Sequence, residues 1–409
     1  MPWSLPPILR DGPEGPPQDE GVDLADRKEG SLEMDSLGIG LIGTGFMGKC
    51  HALAYGSVRA VFGDVPETRL EVLCDVPADK ADSFADQFGF ARGTDDWRDL
   101  IADPKVDIVC ITTPNKVHKD MAMAAIEAGK HVHLEKPMAL TLEDAKKMLA
   151  LAETAGSKTI VGYNYLHNPA FQHAQKLIAD GAIGRVVHFR GMVDEDYQAD
   201  PDLAWTWRAT KADAGLGTLG DLGCHLVSLA TALVGPIESL IAETKTVHAT
   251  RPMGDGSSER RDVENEDIAS ALLTFENGVH GVISTSRSAW GRKSYIGFEV
   301  HGTEGMITFD QERMNELRLY QNRGPLAEQG FKTLLTGPAH PPYGQFVPAA
   351  GHQLGFNDLK VIEVHEFLRS IVEGRQAVPS FKEALHFEAV IHAIAASGED
   401  GRRVQIASI

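Results

Sequence analysis

Three side chains in this sequence could do chemistry together. Lys136 lies in GKHVHLEKPMAL (residues 129–140), between Glu135 and Pro137, where an apolar strand ends. An ammonium partly withdrawn from water there would stabilise a developing alkoxide, and burial would lower its pKa. A loop lysine without such a role is simply solvated. Asp221 and His225, in GLGTLGDLGCHLVSLATALVG (215–235), stand four residues apart, so a helix projects both from one face. A carboxylate beside an imidazole can fix its tautomer and raise its basicity, which suits a general base for an alcohol proton. By itself such a pair is equally a surface hydrogen bond or a cap.

Removing a hydroxyl proton beside a cation is half of an alcohol oxidation; the other half needs a hydride acceptor. GLIGTGFMGKCHA places Gly43, Gly45 and Gly48 directly after a strand and at the start of a helix. The first glycine permits the tight turn, the second lets backbone approach a pyrophosphate, and the third lets helix pack on sheet. Phe46 and Met47 lie within this loop, and the helix N-terminus offers free N–H groups to phosphate. The next strand ends in LEVLCDVP, so Asp75 is placed to accept hydrogen bonds from an adenosine ribose diol. No arginine follows it to receive a 2′-phosphate, because Val76 and Pro77 do. NAD is therefore favoured over NADP. ITTPNKVH puts Thr112, Pro114 and Asn115 at another strand's carboxyl edge, where open α/β sheets bind ligands. Asn115 also suits a helix cap. His118 stands beside this cofactor edge and reads as a helix-surface histidine rather than a catalyst.

The elements that must position these residues follow from periodicity. Strands are expected at 38–42, 69–74, 107–111, 131–134 and 158–162, with helices at 46–62, 78–88, 117–128 and 141–155. That alternation means a parallel, doubly wound sheet. After about residue 165 a helix (169–181) leads into strands at 185–196, 237–248, 267–275, 279–288, 295–301 and 305–309. The turn signals ENG (276–278) and HGTEG (301–305) make this sheet mostly antiparallel. Residues 251–265 read as a mobile loop and 381–397 as a late helix. The fold class is α/β: an N-terminal Rossmann parallel sheet (37–162) plus a C-terminal α+β domain (163–409) with an open, mostly antiparallel sheet. Residues 1–36, rich in proline, glycine and acid, read as a disordered extension.

A chain of 409 residues is long enough for two cores. Its net charge of -19 argues against nucleic acid and anionic membranes as partners. The four cysteines, Cys50, Cys74, Cys110 and Cys224, show no disulfide or zinc spacing, so no metal is expected and a reducing cytoplasm is. No apolar run is expected to reach the roughly twenty residues that span a bilayer. DIASALLTF and VHGVISTS carry apolar residues on both faces, and helices are available for only one. A symmetric homodimer or homotetramer built sheet against sheet is expected.

GxGxxG near the start, AGKHVxxEKP about ninety residues on, and GxxxDxGxH in the second domain together resemble the glucose–fructose oxidoreductase/inositol dehydrogenase/MocA family. The resemblance covers residues 37–409 and is nearest to the family's glycoside 3-dehydrogenases, through ADPDLAWTWR, FEVHGTEGMITF and GFKTLLTGPAHPPYG. It implies that Lys136, with Glu135, meets both cofactor and substrate hydroxyl, that Asp221 orients, and that His225 is the base. The implied activity is NAD-dependent oxidation of a ring secondary hydroxyl of an uncharged sugar, anhydrosugar, glycoside or cyclitol. Inositol 2-dehydrogenase activity, a non-catalytic NAD-binding sensor and an NAD-dependent glycoside hydrolase share the fold and stay open. Tyr163, Asn164, Asp196, Trp207, Arg208 and His340 are substrate-pocket candidates; Trp205 and Trp207 could stack on a sugar face or simply pack. Two departures fall near that pocket: Leu166 and His167 where the family carries arginine, and Ser228 where it often carries aspartate.

Overall fold

The computed structural model describes residues 36–408, so all of the expected extension except Ser36 lies outside them. The first unit alternates strand and helix: β1 (Leu37–Ile42), α1 (Phe46–Phe62), β2 (Thr68–Cys74), α2 (Ala78–Phe88), β3 (Arg92–Thr94), α3 (Trp97–Ala102), β4 (Ile108–Ile111), α4 (His118–Glu127), β5 (His131–Leu134), α5 (Leu142–Ala155) and β6 (Thr159–Val161). All six strands run parallel in the order β3-β2-β1-β4-β5-β6. The central strands are apolar on both faces because helices cover both. The order reverses between β1 and β4, which opens a crevice at their carboxyl ends. β3, only three residues long, is too short to carry a period and was not expected from the sequence.

The second unit runs through α6 (Pro169–Ala179), β7 (Val186–Asp194), α7 (Lys211–Ala214), α8 (Cys224–Val234), β8 (Ile237–Lys245), β9 (Thr250–Pro252), β10 (Arg260–Asp262), β11 (Ile268–Phe275), β12 (His280–Ser286), β13 (Tyr295–Gly302), β14 (Gly305–Asp310), β15 (Glu316–Gln321), β16 (Lys332–Leu335), α9 (Tyr343–Phe346), α10 (Phe356–Val372), α11 (Phe381–Asp400) and β17 (Val404–Gln405). Nine strands form one sheet, β16-β15-β14-β13-β7-β12-β11-β8-β17. Only β12 and β7 pair in parallel, so the sheet is mostly antiparallel, as expected.

Two expectations need correction. The stretch 251–265 is not simply a loop: its ends pair as β9 and β10. Arg251, buried, anchors it by donating to the carbonyls of Gln198 and Asp200 at 2.5 and 2.7 Å. One apolar stretch is also long enough for a bilayer. Lys211–Val234 spans 24 residues, but 83% of its most apolar window is buried inside the protein. It takes in α7 and α8 at the core of the second unit, and its apolarity answers to protein packing.

α10 was not anticipated at all. It leaves the second unit and packs on α1, placing Val361, Val364, Phe367 and Leu368 in one core with Ile39, Tyr55, Val58 and Ile108. The two units are thus interlocked by a late helix.

Candidate active site

A cavity of about 1130 Å³ lies at the carboxyl ends of β1, β4 and β5, lined by residues of both units. At its nucleotide end, Gly43 has φ +100°, a conformation glycine adopts without strain. A Cβ on Gly48 would lie 2.1 Å from the Gly43 carbonyl oxygen, so only glycine allows this helix–strand approach. A Cβ on Gly45 would meet nothing within 4 Å. That open cradle at the first turn of α1 suits a dinucleotide pyrophosphate. Asp75 accepts from the Thr44 amide at 2.9 Å, the Thr44 hydroxyl and the Val76 amide at 2.7 Å. Burial opposes its charge, but these bonds and Lys80 hold the carboxyl below its ordinary range.

Lys80 alters one expectation. Its Nζ, from the first turn of α2, lies 2.9 Å from Asp75. A cation does stand beside the ribose carboxylate; it comes five residues later in the chain rather than directly after Asp75.

At the other end Lys136 donates to the Asp221 carbonyl at 2.6 Å and to its carboxylate at 3.2 Å. Burial works against the ammonium, but Asp221 outweighs it, with Cys224 and Glu135 adding, so the pKa is raised. The expected lowering by burial is overturned because the lysine is buried against a carboxylate. Asp221 sits in a π-helical turn, Leu219–Gly223, ahead of α8. Its other carboxylate oxygen accepts from the Tyr197 hydroxyl and lies 3.6 Å from Arg208. Buried among these donors, the carboxylate is held far down in spite of desolvation.

Asp221 does not form the expected hydrogen bond with His225. Its two oxygens face Lys136 and Tyr197 instead, and His225 Nδ1 is buried without a partner. Burial first, then the Lys136 charge, push the imidazole well below its ordinary pKa, so it is neutral. Tyr165 meets its ring edge-on at 4.8 Å between centroids.

The cavity brings together Gly43, Gly45, Phe46, Met47, Asp75, Thr112, Pro114, Asn115, Glu135, Lys136, Asn164, Trp207, Arg208, Asp221 and His225. Asn115 caps no helix; its amide donates 3.0 Å to the Ala214 carbonyl and ties the two units. Asn164 Nδ2 is buried without a partner at the cavity wall, a donor a polyol could use. Other expected residues lie elsewhere. His118 is buried, not on the surface, with its ring nitrogens 2.9 Å from the carbonyls of Pro137 and Thr113. Gly48 is covered by Gly43, and Tyr163 is sealed between His225 and Phe387. Asp196 is held by Lys293 at 2.6 Å, Trp205 by the Asp262 carbonyl, and His340 packs edge-on against His173.

Tyr197, Tyr165 and Glu195 line the cavity and were not foreseen. The signal available was VDEDYQAD: an acidic run at the end of β7.

Residues 37–163 match the model of an oxidoreductase family with an NAD-binding Rossmann fold, and residues 171–308 that of the GFO/IDH/MocA C-terminal domain. The chain is 38% identical to levoglucosan dehydrogenase of Pseudarthrobacter phenanthrenivorans, over 92% of this chain and 100% of that one. A solved structure of levoglucosan dehydrogenase with NADH and levoglucosan superposes with a TM-score of 0.87 at 38% identity, covering 91% of this chain and 100% of the other. Inositol 2-dehydrogenase of Rhizobium meliloti is 27% identical over 90% of this chain and 98% of its own.

Proposed function

We propose a substrate and a chemical course for this protein, which belongs to the GFO/IDH/MocA family of NAD-binding oxidoreductases. It oxidises a ring secondary hydroxyl, the one at C3, of an uncharged pyranose-like sugar, anhydrosugar or glycoside. One observation carries this reading: a permanently charged lysine, fixed by Asp221, and a neutral histidine share the wall of a dinucleotide-sized cavity.

NAD, when bound, supplies the hydride acceptor. Lys136 polarises the substrate oxygen and stabilises negative charge developing on it. Its raised pKa keeps it a cation throughout, so the base is another group. His225, neutral and lining the cavity, takes the hydroxyl proton; Asp221 and Tyr197 fix the lysine against the sugar. Every cation at the cavity already has a carboxylate: Lys80 with Asp75, Lys136 and Arg208 with Asp221, Arg287 with Asp267. A phosphate or carboxylate on the substrate would find no unengaged partner, which favours a neutral polyol. The likeness to levoglucosan dehydrogenase supports the same class.

The test is NAD reduction over levoglucosan, glucose, a glucoside, myo-inositol and glucose 6-phosphate, with the product's carbonyl located by NMR. Uncharged pyranoses should react best and give the 3-keto product. Preference for the phosphate overturns the reading, and glycoside cleavage without net NADH would make the protein a hydrolase. The four cysteines are free and buried, consistent with the reducing cytoplasm in which we place it. We further propose a symmetric dimer or tetramer. Leu272 and Val282 pair across β11 and β12 and are 54% and 37% exposed, and Val187 and Met192 on β7 extend this apolar face. A monomeric mass at micromolar concentration would refute it.

A further inference from the structure

Glu195 follows the last residue of β7 and lines the cavity that holds Lys136, Asp221 and His225. Its backbone is fixed on both sides: its amide donates 2.9 Å to the Ser286 carbonyl, and its own carbonyl accepts from Ala289 at 2.9 Å. Beside its carboxyl stands Ser294, which favours the charged form and whose hydroxyl is 3.5 Å from that of Tyr165. Tyr165 in turn packs edge-on against His225. The carboxyl is therefore held at the wall within electrostatic reach of the reacting groups, yet it forms no ion pair. Asp221 and Asp196 carry like charge toward it, Lys136 is engaged by Asp221, and Asp196 has taken Lys293. Even a hydrogen bond from Ser294 would leave most of a carboxylate's accepting capacity open.

We propose that Glu195 is a specificity-determining residue of this cavity, accepting a hydrogen bond from a sugar hydroxyl other than the one oxidised. This deepens the function proposed above and rests on it. A fixed, unpaired acceptor rewards a donor and disfavours an analogue that lacks one, because the half-buried carboxylate, covered by the sugar, would then be left unsatisfied. The environment also sets when the acceptor is available. Burial, then the Asp221 charge, push the carboxyl up to about 7, against the pull of Lys136 and Ser294. Below that value the group is protonated and accepts poorly; above it the carboxylate is fully available. Affinity for the sugar should thus rise with pH through about 7. His225 does not account for such a limb, because its own pKa lies well below its ordinary value.

The experiment compares wild type, Glu195→Gln and Glu195→Asp, as full chains with NAD and levoglucosan, measuring kcat and KM from pH 5.5 to 8.5. Glu195→Gln should raise KM about tenfold at pH 8, leave kcat within about threefold, and remove the limb near neutrality. Glu195→Asp should retain a limb. NADH affinity, independent of the sugar, should be unchanged in both variants, and the melting temperature at pH 8 should be no lower than wild type, since the raised carboxyl costs stability there. If wild type oxidises levoglucosan and Glu195→Gln keeps the wild-type KM and pH profile, this assignment alone falls. If wild type oxidises no sugar of the panel, the proposed function falls and this inference with it.

Discussion

Glu135 and Lys136 are adjacent in the chain and belong to two different charge clusters. Lys136 faces the cavity, where Asp221, Tyr197 and Arg208 gather. Glu135 turns inward to a sealed cluster, accepting from His51 at 2.8 Å and from Lys360 at 2.7 Å. Lys360 also holds Glu363 at 2.9 Å, which meets His133 at 3.0 Å, and His133 meets Tyr55. Lys360 and Glu363 are both 0% exposed. The same residue types serve two ends. In the cavity a charge is held where a ligand's atoms can reach it; behind Glu135, which borders the cavity, Lys360, Glu363 and His133 are closed off, and their charges fix one domain against a helix returning from the other. The backbone amide of Lys136 reaches the Glu135 carboxylate at 3.2 Å, so the inner cluster also seats the outer one.

This contrast is broken most severely at the cavity. Lys136→Ala and His225→Ala should each lower kcat by about 10²–10⁴-fold while NADH affinity and melting temperature stay close to wild type. Retention of more than half of wild-type kcat by either variant removes its assigned role. The sealed cluster should respond the other way. Lys360→Met leaves two carboxylates buried without their cation and should cost about 3–5 kcal/mol in urea denaturation. Glu363 is held at about 2 by Lys360 and His133 despite burial. A depressed carboxyl pKa contributes stability above the ordinary carboxylate range, and that contribution is lost as pH falls toward about 2.

Glu388 sharpens the comparison, because it is a buried carboxyl whose basic neighbour, His392 at 3.8 Å, is kept neutral by burial, which lowers the imidazole to about 4. It accepts from the Met138 amide at 2.6 Å, and burial pushes it from 4.5 up to about 8. The sign is opposite: folding disfavours its ionised form, so stability falls as pH climbs from the ordinary range through about 8. Between those limits the slope from this group approaches about 1.4 kcal/mol per pH unit. Glu388→Gln keeps an acceptor for Met138 and should flatten the slope, gaining stability at pH 9 but little at pH 5. Parallel wild-type and variant profiles would show that Glu388 does not titrate in this way. The smallest effects belong to the nucleotide end. NAD should be preferred over NADP at least tenfold, about 1.4 kcal/mol. Asp75→Ala should narrow that ratio in kcat/KM. Lys80→Ala should widen it, by up to about fivefold for so exposed an ion pair. Equal kcat/KM with the two cofactors would sink the assignment of Asp75.

Legibility in the sequence divides along the same line. The glycine loop, the strand-end Asp75 and the residues around Lys136 are local: each owes its position to the strand it ends or the helix it begins. They were readable, as were six of the nine strands of the second sheet from their alternation; β15, β16 and β17, towards its two edges, were not expected. The pairing of Asp221 was not, since a π-helical turn and a tyrosine from the end of β7 intervene where regular helical spacing suggests His225. α10 was missed because its buried face does not look buried. Lys360, Glu363, His365 and Glu366 are all buried along with its apolar residues, which erases the amphipathic period. Polar groups that satisfy one another across more than two hundred residues leave no trace in a sliding window.

The return of α10 also bears on how the chain is made. Glu363 follows its partner His133 by 230 residues. At about 5–20 residues per second, the ribosome needs roughly 10–50 s to deliver it after His133 has emerged. Until then the nucleotide unit, although its six strands are already synthesised, has an uncovered apolar flank and a carboxylate awaiting its ammonium. Its maturation is post-dated to the synthesis of α10. A fragment ending at residue 162 should accordingly be a poor cofactor-binding module and a natural client for chaperones.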